Sequence, residues 1–135
     1  SPKADLDAFA TKVRAGADVG ITQFFFNPDA YYRFVDEMKA RGVDVPIVPG
    51  IMPITNASGL LRFADSCGAE VPRWIRTRLQ AFGDDAVAIK DFGADVVATL
   101  CERLRAGGAR SLHFYTLNQS VATLEVYRRL DLLAD

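Results

Sequence analysis

The stretch Val19-Gly20-Ile21-Thr22-Gln23-Phe24-Phe25 runs almost directly into Asn27-Pro28. It is too apolar for simple alternation and reads as a short buried strand covered on both faces, as in a parallel sheet. An Asn side chain can accept a backbone N–H, and proline suits the first helical position, so the strand is predicted to pass into a helix at once. Tyr31, Phe34, Val35 and Met38 share one face of that helix, and Gly42 ends it. Strand, cap, helix is one βα unit.

The rest of the chain repeats this grammar. Upstream, Leu6, Phe9, Ala10 and Val13 fall at helical spacing and Gly16 is the stop. Downstream, Pro46-Ile47-Val48-Pro49-Gly50 reads as a second strand, and Ile51-Met52-Pro53-Ile54 carries it into a loop. Proline in a strand usually marks an edge or irregular position, so Pro49 and Pro53 are expected to bracket the strand's end. Thr55 or Asn56 caps a helix carrying Leu60, Leu61 and Phe63, and Val71-Pro72 opens another through Trp74, Ile75, Leu79 and Phe82. Asp84 or Asp85 caps a long helix over 86–105, with Ile89, Phe92, Val96, Val97, Leu100 and Leu104 in phase and Gly107-Gly108 as the stop. Ser111-Leu112-His113-Phe114-Tyr115-Thr116-Leu117 reads as a third strand, ended by Asn118, with a final helix over 120–130.

Strands starting near 19, 46 and 111, each followed by helix, predict parallel strands with right-handed crossovers and an α/β fold. Three strands are few for so many helices, and the first helix has no strand before it. The pattern reads as the later βα units of a (β/α)8 barrel, whose complete form takes about 250 residues. A small three-strand α/β domain complete in itself is the alternative.

Composition narrows the function. The 135 residues hold 16 Lys+Arg against 17 Asp+Glu, a formal net charge of -1, 50% hydrophobic and 24% charged residues. That balance suits a globular core, excludes disorder and argues against a nucleic-acid partner. No apolar run approaches the roughly 20 residues of a membrane span. The opening Ser1-Pro2-Lys3-Ala4-Asp5 is polar and acidic, unlike a secretory leader. Cys67 and Cys101 stand far apart with no CxxC, so two free thiols in a cytoplasmic protein, and no metal, are expected.

Most chemistry-bearing motifs are missing. There is no G-x-G, Walker A loop, G-x-S-x-G elbow or H-E-x-x-H. His113 lies between apolar residues with no carboxylate or Cys at motif spacing, and reads as structural. What remains is polar residues at strand C-termini, the end where parallel α/β folds bind ligands. Gln23 interrupts an apolar strand, and a buried amide needs a partner, either backbone or a ligand; its position favours a ligand. Glutamine is neutral and offers both donor and acceptor, which suits an amide-bearing heterocycle better than phosphate or a metal. Tyr115 and Leu117 share a strand face, Asn118 reads as a helix cap, and Phe63 could offer a ring face or simply pack in the core. A neutral pocket with aromatic walls, lacking a nucleophile or carboxylate pair, suits redox chemistry carried by a cofactor.

The segments Ala15-Gly16-Ala17-Asp18, Ile21-Thr22-Gln23-Phe24-Phe25-Phe26, Pro46-Ile47-Val48-Pro49-Gly50-Ile51-Met52-Pro53-Ile54, Arg62-Phe63-Ala64-Asp65 and His113-Phe114-Tyr115-Thr116-Leu117-Asn118, in this order, resemble methylenetetrahydrofolate reductase. The resemblance implies a cytoplasmic flavoprotein oxidoreductase on a (β/α)8 TIM barrel. It implies FAD, and reduction of 5,10-methylenetetrahydrofolate to 5-methyltetrahydrofolate in one-carbon metabolism and methionine biosynthesis. NADH or NADPH would give hydride to the flavin and leave before folate takes the same face. Residues 1–135 would be a single partial domain, the C-terminal half of that barrel.

The resemblance also assigns roles. Gln23 would hydrogen-bond folate and nicotinamide in turn, Phe63 would pack on them, and Gly59, Leu117 and Gln119 would touch folate. Asp5 and Lys12 would hold FAD, the lysine at the pyrophosphate. Two positions depart from the pattern. Thr11 and Gln119 stand where relatives carry arginine, and an uncharged residue at the folate tail would weaken binding by about 1.5–3 kcal/mol. The general-acid glutamate and the aspartate near the flavin belong to the barrel's first half, so no catalytic residue falls in this one. A half barrel has open sheet edges and an exposed apolar interior, which invite self-pairing. The isolated chain is therefore expected to be inactive and homo-oligomeric. A non-catalytic half-barrel assembly or interaction module is the competing reading.

Overall fold

A computed structural model describes residues 2–16, 18–115 and 120–134. The elements run α1 (Pro2–Arg14), β1 (Gly20–Phe24), α2 (Pro28–Ala40), β2 (Ile47–Ile51), α3 (Ala57–Cys67), α4 (Arg73–Phe82), α5 (Ala86–Ala106), β3 (His113–Phe114) and α6 (Ser120–Ala134). The sheet has the order β1-β2-β3, and both pairings are parallel. The α/β reading and its parallel strands therefore hold.

The helix starts follow from side-chain caps. The Asn27 side chain accepts from the Asp29 N–H at 3.0 Å, Asn56 from Gly59 at 2.8 Å and Asp85 from Ala88 at 3.0 Å. Asn56 and Asp85 thus hold the two caps for which the sequence offered two candidates each. Such a cap is worth about 1 kcal/mol.

Packing comes in two bodies of core. Ile51, Ile75, Val97 and Leu104 are completely buried between the sheet and helices α4 and α5, joined by Val126 and Leu130 of α6. Fully burying each such side chain contributes about 1.5–3 kcal/mol. A smaller cluster of Ala10 and Val13 on α1 with Met38 and Val43 ties the first helix to the second. The α5–α6 seam carries charge as well: the Arg129 guanidinium reaches Asp91 at 2.8 Å, Glu125 at 3.0 Å, and Asp95.

Three strand expectations need correcting. First, β1 is covered on one face only. Its residues alternate buried and exposed along the strand, with Ile21 41% exposed and Gln23 exposed. Second, Pro49 does not bracket the end of β2 but lies within it. Ile21 pairs with Val48 and Phe24 with Gly50, so Thr22 and Gln23 together oppose the lone Pro49. Two residues against one is a bulge, and it suits a residue that brings no N–H to the ladder. Third, β3 pairs only over His113–Phe114, opposite Gly50 and Ile51. In that register Pro49 faces Leu112, so the ladder has no donor from β2 there. The last part of the predicted strand, Thr116 and Leu117, and the cap Asn118 lie outside the described residues.

Candidate functional site

The bulge in β1 defines the site. Gly50, next to the Pro49 that opposes it, gives its N–H to the Thr22 hydroxyl at 2.9 Å, which replaces the ladder bond the bulge disrupts. Glycine is needed there, because a Cβ would run into the Thr22 carbonyl and the Tyr115 ring. The Tyr115 hydroxyl in turn donates to the Thr22 carbonyl at 2.7 Å. Burial raises the Tyr115 hydroxyl above the usual tyrosine range, so it remains a donor at neutral pH. The His113 ring meets Tyr115 edge-on at 4.8 Å, a packing role.

Gln23, the second residue of the bulge, emerges near the C-terminal end of β1. It lines a hollow of about 350 Å³ with Phe24, Met52, Phe63, Cys67 and Tyr115. No carboxylate lines this hollow among the described residues. Phe63 comes from α3, is 38% exposed, and stacks on Phe24 at 5.6 Å with an interplanar angle of 14°. One ring face is thus spent on packing. Gln23 differs from its sequence reading in two respects. It is exposed rather than buried, and its amide nitrogen has a backbone partner, the Cys67 carbonyl at 2.9 Å.

The other candidates spread around this centre. Gly59 lines an adjoining hollow of about 230 Å³ that shares Met52 and Phe63, and its N–H is committed to the Asn56 cap. Asp5 lines a larger hollow of about 660 Å³ along the free edge of β1, to which Gln23 also contributes. Lys12 is exposed on α1, two turns beyond Asp5 and on the same helix face, and lines none of these three hollows. Thr11 returns its hydroxyl to the Asp7 carbonyl at 2.9 Å. Leu117 and Gln119 lie outside the described residues. Sequence reasoning missed Met52 and Cys67 as lining residues. The alternation that grouped Tyr115 with Leu117 was a signal for Tyr115; no local pattern marks the other two.

Among the described residues no group of His, Cys, Asp and Glu could hold a metal ion. Asp5 and Lys12 fit a dinucleotide such as FAD by their chemistry. The ammonium has no ion-pair partner among the described residues and suits a phosphate, and the carboxylate can accept from hydroxyl or ring N–H groups.

Parallel strands, helical crossovers and a neutral, aromatic hollow at the strand C-termini define an α/β chain of the barrel type. The family model for methylenetetrahydrofolate reductase matches residues 1–131, and the chain belongs to that family. It is 37% identical over 133 residues to methylenetetrahydrofolate reductase (NADH) 1 of Arabidopsis thaliana, covering 98% of this chain and 22% of that protein. It is 37% identical over its whole length to the 5,10-methylenetetrahydrofolate reductase of Pectobacterium carotovorum, covering 45% of that protein. With the Escherichia coli enzyme of the same name it shares 39% identity over 120 residues, 89% of this chain and 40% of that one. The chain therefore spans less than half the length of these relatives. Among solved structures, an uncharacterized Clostridium thermocellum protein that binds two copies of 5-methyl-5,6,7,8-tetrahydrofolic acid superposes with a TM-score of 0.61 at 18% identity. That match covers 96% of this chain and 49% of the other, and it bears on the fold alone.

Proposed function

We propose that this chain is the C-terminal half of a flavin-dependent reductase barrel that converts 5,10-methylenetetrahydrofolate to 5-methyltetrahydrofolate with NADH or NADPH. The observation that carries the reading is the meeting of Gln23 and Phe63 in one hollow at the C-terminal ends of the strands.

Bound FAD supplies the hydride relay between nicotinamide and folate. Lys12 holds its pyrophosphate and Asp5 accepts from its hydroxyl or ring donors. Phe63 covers the ring of whichever ligand is present, and Gly59 leaves room beside it. Gln23 orients that ring through a neutral amide, which serves a nicotinamide and a pterin without favouring a charge state. Leu117 and Gln119, outside the described residues, serve as folate contacts. The protonating group comes from the other half of the barrel. The enzyme works in the cytoplasm, feeds methionine synthesis and assembles as a homo-oligomer.

The test compares residues 1–135 alone with the complete protein that carries them. The complete protein is expected to purify yellow and to form 5-methyltetrahydrofolate from NADH or NADPH. The 135-residue chain is expected to stay colourless and not to oxidise NADH with menadione. A complete protein that binds flavin but leaves the folate unreduced would sink the assignment.

A further inference from the structure

The Cys67 carbonyl that receives the Gln23 amide nitrogen belongs to the last residue of α3. The final four carbonyls of a helix lack intrahelical donors, so it is available to an outside group. Gly68 follows in the left-handed region, with φ 70 and ψ 20, and returns its own N–H to Ala64 and Asp65. This cap ends α3 and sets where the Cys67 carbonyl points. The peptide preceding Gln23 is held as well, through the bond from the Tyr115 hydroxyl to the Thr22 carbonyl. Gln23 is thus gripped by its main chain at one end and by its amide nitrogen at the other.

We infer that the Cys67 carbonyl, aimed by Gly68, is a positioning group that fixes which way round the Gln23 amide lies. Turning the amide over would set two carbonyl oxygens against each other and lose the 2.9 Å bond. The oxygen Oε1 and the second N–H of Gln23 therefore keep one arrangement, and both ligands that use the site must bring a donor to the same oxygen. The amino group of a pterin and the carboxamide of a nicotinamide each carry such a donor. This inference rests on the proposed role of Gln23 and adds the residues that orient it.

The test uses the complete protein and reads its Kd for 5-methyltetrahydrofolate and for NADH. A Cβ at Gly68 would meet nothing within 4 Å, so substitutions there act through backbone strain and not through a clash. Asn tolerates the left-handed region, Ala less well, and a β-branched residue least. Gly68→Val is expected to weaken both ligands by roughly 2- to 12-fold, the equivalent of one net hydrogen bond. Gly68→Asn should stay close to the parent, with Gly68→Ala between them, and Ala carries the comparison if the Val variant does not fold. In a Gln23→Met background, which has no amide to position, the Gly68 substitutions should have no further effect. An equal loss in both backgrounds, or no loss in the parent, overturns the positioning role while leaving the reductase reading intact. A parent protein that binds neither ligand overturns the reading and this inference together.

Discussion

The hydroxyl of Tyr115 donates to the carbonyl of Thr22 at 2.7 Å, joining the exit of β3 to the bulge of β1 across 93 positions of sequence. The neighbouring bond from the Gly50 N–H to the Thr22 hydroxyl makes Thr22 the hub of all three strands. Thr22→Val keeps the shape and removes the acceptor, so it leaves the buried Gly50 N–H unpaired. The expected destabilisation is about 1–3 kcal/mol, and Tyr115→Phe should cost about 0.5–1.5 kcal/mol. Urea unfolding midpoints measure both, and a neutral Thr22→Val would mean that another acceptor takes the Gly50 N–H.

Phe63 stands between packing and binding. Its ring stacks on Phe24, and it is too exposed to act as a full core residue. Phe63→Ala is expected to lower stability by about 1 kcal/mol, well under the 3–5 typical of a buried Phe. In the complete protein it should weaken folate binding by more than tenfold if the ring covers a ligand. Denaturation and ligand titration on the same sample separate the two contributions.

Acid sensitivity should concentrate at the α5–α6 seam. Hydrogen bonds from Arg128 and then Arg129 lower the Glu125 carboxyl from 4.5 to about 2. A carboxyl depressed on folding stabilises the protein above its unfolded pKa, and that contribution is lost as pH falls through the folded value. Stability is therefore expected to decline between about pH 4.5 and 2. Glu125→Gln should flatten that part of the profile, as followed by circular dichroism across the acid range.

The two thiols should separate cleanly. Burial pushes Cys101 up to about 12, and Cys67 is exposed at the mouth of the hollow. In native protein a thiol reagent is expected to label Cys67 alone, with Cys101 reacting only after unfolding. Bound 5-methyltetrahydrofolate should slow labelling of Cys67 in the complete protein. Mass spectrometry of tryptic peptides reads both outcomes.

Much of the fold was legible because its signals are local. Asn27 followed by Pro28, Asn56 before Ala57 and Asp85 before Ala86 each mark a helix start within a few residues, and each accepts the capping bond. The long periodic run through Ile89, Val97 and Leu104 is buried on α5 as its spacing required. The bulge was not legible, since the effect of Pro49 depends on which residues of another strand lie opposite it. Gln23 was legible as a candidate, because a polar residue in an apolar strand is conspicuous. Its partner was not, since nothing in the residues around Cys67 points to an amide 44 positions away.

The sequence by itself determined the elements, their order and the family, because caps, periodicity and short motifs are written in neighbouring residues. Only the tertiary structure decided that β1 carries a bulge, that Thr22 joins the three strands, and that the Cys67 carbonyl takes the Gln23 nitrogen. Those choices depend on backbone donors and acceptors brought together from distant parts of the chain, and every buried one of them must find a partner wherever the fold delivers it.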